Sequence, residues 1–167
     1  MFDCFAFYGL KPHYHLDKAA LRQLYLQKAR DNHPDLHRLA GPEDQVEYEV
    51  QAAANSVAYG VLADDNMRLK HIFQLEGLLT ADGESARKLP PDFLMEMMEM
   101  NEAVEAGADV GDEISALMDA RNQAIEAAMT EYDAGRGGLE QALEAWLERK
   151  YLLRLTEIPP KFAPPLN

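Results

Sequence analysis

Three clusters in this chain combine residue types and spacings that can do chemistry. The first is the turn His33-Pro34-Asp35. Proline fixes its own φ and pushes the residue before it out of helical geometry, so the tripeptide presents an imidazole and a carboxylate side by side on a stiff turn. Alone it reads more readily as a helix stop with a polar turn. The second cluster precedes it: Lys18 and Arg22 stand one helical turn apart, and Arg30 lies two turns beyond. In a helix the three share one basic face, suited to an anionic protein surface. The third is Phe93-Leu94-Met95-Glu96-Met97-Met98-Glu99-Met100. At about 100° per residue, Phe93, Met97, Met100 and Val104 line one face, which should be core. Leu94, Met95 and Met98 fall broadly opposite, among Glu102 and Glu105. Soft apolar side chains bordered by carboxylates read as a protein-docking patch.

Other constellations are weaker. His13 with His15, or His33 with His37, has the residue type of a metal site, but Pro34 breaks the geometry that would align the second pair. No cysteine cluster supports either. Cys4 near an apolar N-terminus reads as packing rather than as a nucleophile. The glycines near Gly135 lack the Lys and Ser or Thr of a phosphate loop. A small metal-dependent hydrolase built from the histidines and carboxylates is the rival reading from an enzyme class. The expectation from these residues is no metal, no cofactor and no catalytic group.

Composition narrows the field further. The 167 residues carry 16 basic and 29 acidic side chains, a formal charge of −13. This argues against nucleic acid and anionic lipid as partners, since both reward clustered Lys and Arg. Hydrophobic residues make up 47%, enough for a packed core. One cysteine excludes an intramolecular disulfide and a multi-thiolate metal site, and it suits a reducing compartment. No run approaches the roughly 20 apolar residues of a membrane span. The expectation is a cytoplasmic protein. The charge is also divided. Residues 1–76 hold 8 basic and 11 acidic groups, and residues 77–167 hold 8 and 18. Inside the first part, residues 17–38 are net positive, with five basic side chains against three acidic. Two surfaces of opposite sign imply two partners.

The elements that must position these residues all read as helices. Asp17 caps a helix to about Asp31 with Leu21, Leu24, Tyr25 and Ala29 as its stripe. A second runs from about Pro42 to Leu62, with Val46, Val50, Ala53, Ala54, Val57, Ala58 and Val61 or Leu62 at helical spacing. A shorter one carries Met67, Ile72, Phe73 and Leu75. Gly77 to Pro91 is a connection rich in Gly and Pro. Three helices follow: Asp92 to about Ala106; one bearing Ile114, Leu117, Met118, Ile125, Met129 and Tyr132; and one bearing Leu139, Ala142, Leu143, Trp146 and Leu153. The spacing predicts an all-α chain with a helical N-terminal unit (1–76), a connection (77–91), a C-terminal three-helix unit (92–158) and a proline-rich tail (159–167).

A basic helix, His33-Pro34-Asp35, and an apolar helix after the turn together resemble the J-domain of DnaJ-type co-chaperones. Leu89-Pro90-Pro91-Asp92-Phe93-Leu94-Met95-Glu96-Met97-Met98-Glu99-Met100 is similar to the matching helix of the HscB family, the J-protein co-chaperones of iron–sulfur cluster assembly. So are Asn55, Ala58, Tyr59, Leu62 and Met67-Arg68, and Arg149-Lys150-Tyr151-Leu152-Leu153-Arg154-Leu155 near the end. The resemblance spans about Phe2 to Leu155. It implies a J-domain helical hairpin followed by a three-helix bundle. It implies that His33, Pro34, Asp35, Arg22, Arg30 and Lys18 dock on a DnaK-type chaperone ATPase, the dedicated HscA, and stimulate ATP hydrolysis. It implies that Leu94, Met95, Met98 and Tyr151, with Glu99 and Glu102, hold the cluster scaffold protein IscU. The chain departs from the family at Asn32, where an aromatic residue often precedes the His; at Asp65, where a proline is common; and at Ala106, in place of an acid. The expectation is an adaptor rather than an enzyme, with a J-protein serving another client as the alternative.

Overall fold

In the computed structural model, residues 1–33 and 41–157 are described. Pro34, Asp35 and His37, and the proline-rich tail, lie outside them. The described residues form seven helices and no strand: α1 (Cys4–Phe7), α2 (Lys18–Asp31), α3 (Pro42–Ala63), α4 (Asp65–Leu75), α5 (Pro91–Glu105), α6 (Gly111–Asp133) and α7 (Leu139–Glu157). They divide into two compact units, Met1–Ser85 and Ala86–Asn167.

Local chemistry sets the helix starts. Asp17 accepts from the N–H groups of Ala19 and Ala20 at 2.8 and 3.1 Å, and Asp64 accepts from Met67 at 2.8 Å. Pro42 and Pro91 open α3 and α5, followed by Glu43 and Asp44 and by Asp92, which favour the positive end of the helix dipole. Lys28 and Arg30 sit in the last turn of α2, where cations are favoured.

In the first unit, Phe5, Leu21, Ala58, Leu62, Leu69, Ile72 and Phe73 are buried together with the polar residues Asn55, Arg68 and His71. Burying an amide is tolerable only if it is hydrogen-bonded. Asn55 satisfies this with two partners, one on α2 and one just after α1: Tyr8 Oη donates to its Oδ1 at 2.7 Å, and its Nδ2 donates to the Tyr25 carbonyl at 3.0 Å. The rings of Tyr25 and Tyr59 stack 4.5 Å apart across α2 and α3. α1 was not foreseen from the sequence. It is one turn long, capped by Asp3, and is seated by His71, whose Nε2 accepts the Cys4 N–H at 3.1 Å. Cys4 is buried, and burial followed by the charge of Asp3 pushes its thiol up to about 11. It is a packing residue.

Part of the α3 stripe is a correction. Ala58 and Leu62 are buried, but Val46, Val50 and Val57 are 60%, 58% and 56% exposed. The seven apolar positions fall on two faces, and only the one holding Asn55, Ala58 and Leu62 meets the other helices. Met67, Val104 and Leu153, also placed on core stripes, are exposed as well.

In the second unit, Phe93, Met97, Met100, Val110 and Leu152 form a core cluster, with Ile114, Leu117 and Met118 packed against it. Further along, Ile125, Met129, Leu143 and Trp146 are buried between α6 and α7. The turn joining those helices needs glycine at position 138. Its φ is +97°, and a Cβ there would meet the Ala128 carbonyl oxygen at 2.1 Å.

Two outcomes test this packing. Gly138→Ala should destabilise the second unit by more than about 2 kcal/mol, read by Trp146 fluorescence during denaturation. In the first unit, desolvation holds His71 below its ordinary value near 6.5, with Asp3 opposing. The neutral imidazole is therefore the folded form. Its contribution is complete above pH 6.5 and is lost as pH falls below it, with a slope no steeper than about 1.4 kcal/mol per pH unit. His71→Gln, which keeps an acceptor without titrating, should flatten that slope in hydrogen exchange of the α1 amides.

Candidate functional site

Two candidate surfaces lie in separate units. In the first, Lys18, Arg22 and Arg30 are all exposed on α2. They are not equivalent. Lys18 Nζ lies 3.1 Å from the Asp65 carboxylate at the start of α4. The side chains of Arg22 and Arg30 make no ion pair among the described residues. Lys28, in the same helix, lies over the Phe7 ring, 4.4 Å from its centroid. The chain thus uses two of its α2 cations internally and leaves two outward.

Asp65 explains the diversion of Lys18. It also accepts from Arg68, a buried guanidinium that donates in addition to the carbonyls of Tyr14 and Leu62. Burial pushes the Asp65 carboxyl up, but hydrogen bonds from Lys18 and Arg68 outweigh it and hold it below the usual carboxylate range. The position where the family pattern has proline therefore ties α2, α4 and the loop before α2 by charge.

His33 is exposed directly after α2, and its N–H donates to the Arg30 carbonyl at 3.1 Å. Asn32 closes the helix end, its Nδ2 donating to the Lys28 carbonyl at 3.0 Å. The helix stop thus places the imidazole beside the arginine end of α2.

In the second unit, α5 buries Phe93, Met97 and Met100. Leu94, Met95 and Met98 are 39%, 60% and 64% exposed, with Glu99, Glu102 and Glu105 exposed among them. α5 is therefore not buried all round. Tyr151 differs from its expected companions: it is only partly exposed, and its ring meets Phe93 edge-on with centroids 5.8 Å apart. Truncating it would disturb the core as well as the surface.

The same unit holds ion pairs that sequence reasoning missed. Arg87 bridges Glu140 and Glu144 of α7. Arg121 of α6 binds Glu148 and lies over the Phe93 ring. The Glu140, Glu144, Glu148 spacing of four was a readable signal for a ladder on one helix face. The partner Arg87, distant in sequence, was not. Among the described residues, no group of three or more His, Cys, Asp or Glu could hold a metal ion, and no helix is long and apolar enough to cross a membrane.

A two-unit helical protein with a capped basic helix ending at a histidine turn, and a separate helix exposing methionines, has the form of a J-protein adaptor. Comparison with known proteins agrees. A family model described as the HSCB C-terminal oligomerisation domain matches residues 89–157. The co-chaperone protein HscB homolog of Vibrio atlanticus is 31% identical over 147 residues, covering 86% of this chain and 82% of its own. That of Vibrio parahaemolyticus is 33% identical over 115 residues, 69% and 67% of the two chains. The crystal structure of the human co-chaperone protein HscB shares the fold, with a TM-score of 0.67 at 22% identity over 94% of this chain and 80% of that one. The chain belongs to the HscB co-chaperone family.

Asp65→Ala should release Lys18 and remove one of the acceptors of buried Arg68. The expected loss is about 1–2 kcal/mol of stability of the first unit. Because Asp65 is held below the carboxylate range, its contribution is complete above that range. It is lost as pH falls through the lowered folded value. Urea denaturation at neutral and acidic pH checks both: the wild type and Asp65→Ala should converge in acid.

Proposed function

We propose that this chain is the adaptor of iron–sulfur cluster assembly in the cytoplasm, docking on a DnaK-type chaperone of the HscA kind and delivering the scaffold protein IscU to it. The observation that carries the reading is the outer face of α5. Leu94, Met95 and Met98 are exposed on a helix whose opposite face is already committed to the core. Apolar surface of this kind, bordered by carboxylates, is what a protein partner covers. Family membership and the resemblance of the α5 sequence support the scaffold as that partner. The contacts are Leu94, Met95, Met98 and the exposed part of Tyr151, with Glu99 and Glu102 at the border.

The chaperone meets the other unit. Its contacts are His33, Pro34 and Asp35, in the sequence after α2, with Arg22 and Arg30 supplying the outward charge. Lys18 contributes less, because docking through it must first compete with Asp65. The J-domain comprises residues 1–76 and the client-holding domain 92–158, with 77–91 as the connection. The chain supplies no catalytic group. A partner that binds the hydrolysis-ready state of the ATPase more tightly than its resting state shifts the population toward it, and that alone raises the rate.

His33→Gln should abolish stimulation of the chaperone ATPase while leaving scaffold affinity unchanged. Stimulation by the wild type should also decline as salt rises, because the outward arginines are exposed. A His33→Gln protein that stimulates normally would remove the docking assignment. Met95→Ala with Met98→Ala should weaken scaffold binding about tenfold or more in calorimetry and spare stimulation by the chain alone. Unchanged affinity would reject the α5 patch.

A further inference from the structure

Two grooves of the three-helix unit treat their carboxylates in opposite ways. The first, of about 340 Å³, is lined by residues of α6 and α7 and by Arg87. Its acids Glu140, Glu144 and Glu148 are all engaged by arginines of the same unit. The second, of about 490 Å³, lies between α5 and α6. Its floor is Met100, Ala103 and Leu117, and its rim is Glu96 and Glu99 of α5 and Glu113 of α6. No basic residue lines it. None of the three rim carboxylates has an ion-pair partner among the described residues.

That contrast is informative. Like charges one turn apart on a helix repel, and Glu140 with Glu144 is relieved of this by Arg87. Glu96 with Glu99 is not relieved, and Glu113 adds a third charge across the groove. The floor beneath is apolar. Acids retained unneutralised around an apolar floor are complementary to a cation carried beside an apolar side chain. A second copy of this unit is the poorer match: residues 86–167 hold 8 basic and 16 acidic groups, so two copies carry a net repulsion. The groove is also continuous with the exposed patch, since Glu99 lies one turn from Met95 on α5.

We propose that the α5/α6 groove is a second docking strip of the client-holding unit, and that it takes a basic segment of the client protein. An apolar side chain of that segment enters the floor, and a neighbouring Lys or Arg lies against Glu96, Glu99 and Glu113. The inference rests on the client role proposed for α5 and extends the contact onto α6, so that the client grips α5 from both sides. The two contacts differ in physics. The methionine patch contributes mainly salt-independent affinity, and the groove contributes the salt-dependent part.

The test uses the full chain and the purified IscU-type scaffold, titrated calorimetrically at low and high salt. Glu96→Gln with Glu113→Gln should weaken binding about tenfold at low salt and flatten the salt dependence. Ala116→Tyr, which fills the groove from its exposed α6 side, should weaken binding at both salts with helicity unchanged. Met95→Ala with Met98→Ala should weaken binding at both salts and keep the salt slope. A Glu96→Gln, Glu113→Gln protein with wild-type affinity and slope overturns the groove, whatever the methionine variant does. Loss in the groove variants with a silent methionine variant instead sinks the patch and keeps the groove. If the scaffold fails to bind the wild type, a leucine–arginine peptide and its leucine–glutamate counterpart serve as probes. Shifts of the Ala103 and Ala116 methyl signals with the basic peptide alone, lost in Glu96→Gln with Glu113→Gln, uphold the groove, and their absence overturns it. Light scattering that finds a dimer dissociated by Ala116→Tyr would also overturn it, in favour of self-association.

Discussion

A helix in a three-helix unit can bury one stripe, and everything this protein offers to partners follows from what the other faces carry. In α5 the stripe is Phe93, Met97 and Met100. Each fully buried side chain of that size contributes about 1.5–3 kcal/mol, which fixes the rotation of the helix about its axis. Once that rotation is set, Leu94, Met95 and Met98 have no protein to cover them. Their exposure is a consequence of packing, not an independent feature. The same holds on α3, where Asn55, Ala58 and Leu62 turn inward and Val46, Val50 and Val57 are left outside.

Charge is sorted by the same geometry. Some ionic groups are used up inside a unit: Arg68 and Lys18 on Asp65, Arg121 on Glu148, Arg87 on Glu140 and Glu144. Arg121 and Glu148 are substantially buried, so salt screens them weakly. Others are left outward: Arg22 and Arg30 on α2, and Glu96, Glu99 and Glu113 beside α5. The net charge of −13 is thus a poor description of the molecule. What a partner meets is local: positive along α2 of the first unit and negative beside α5 of the second.

How far this was legible in the sequence depended on whether the signal was local. The α2 start at Asp17, the α3 start at Pro42 and the α5 start near Pro91 were readable because caps and proline positions act within one turn. The outward methionines were readable because two apolar faces on one helix exceed what a small bundle buries. The valines of α3 were misassigned for the converse reason. Their spacing fits a helix, but period alone does not say which of two faces meets a neighbour. The fates of Lys18 and Arg87 depend on residues 47 and more than 50 positions away. The seat of α1 on His71 spans 67. No pattern within a window of 11–18 residues contains such partners.

Asp65 shows what a single departure from a family pattern can move. A proline as the first helical residue pre-organises the backbone and needs no partner. An aspartate there is also favoured by the helix dipole, but it offers a charge that other groups can claim. In this chain Lys18 and Arg68 claim it. The start of α4 is then held by side-chain electrostatics where a proline would hold it by backbone geometry. It becomes sensitive to acid, in which the carboxylate is protonated. The same exchange gives the exposed Lys18 a partner within its own unit. The free positive charge of α2 thereby lies at Arg22 and Arg30, closer along the helix to His33, and the basic surface beside the turn is more compact than the count of cations in α2 implies.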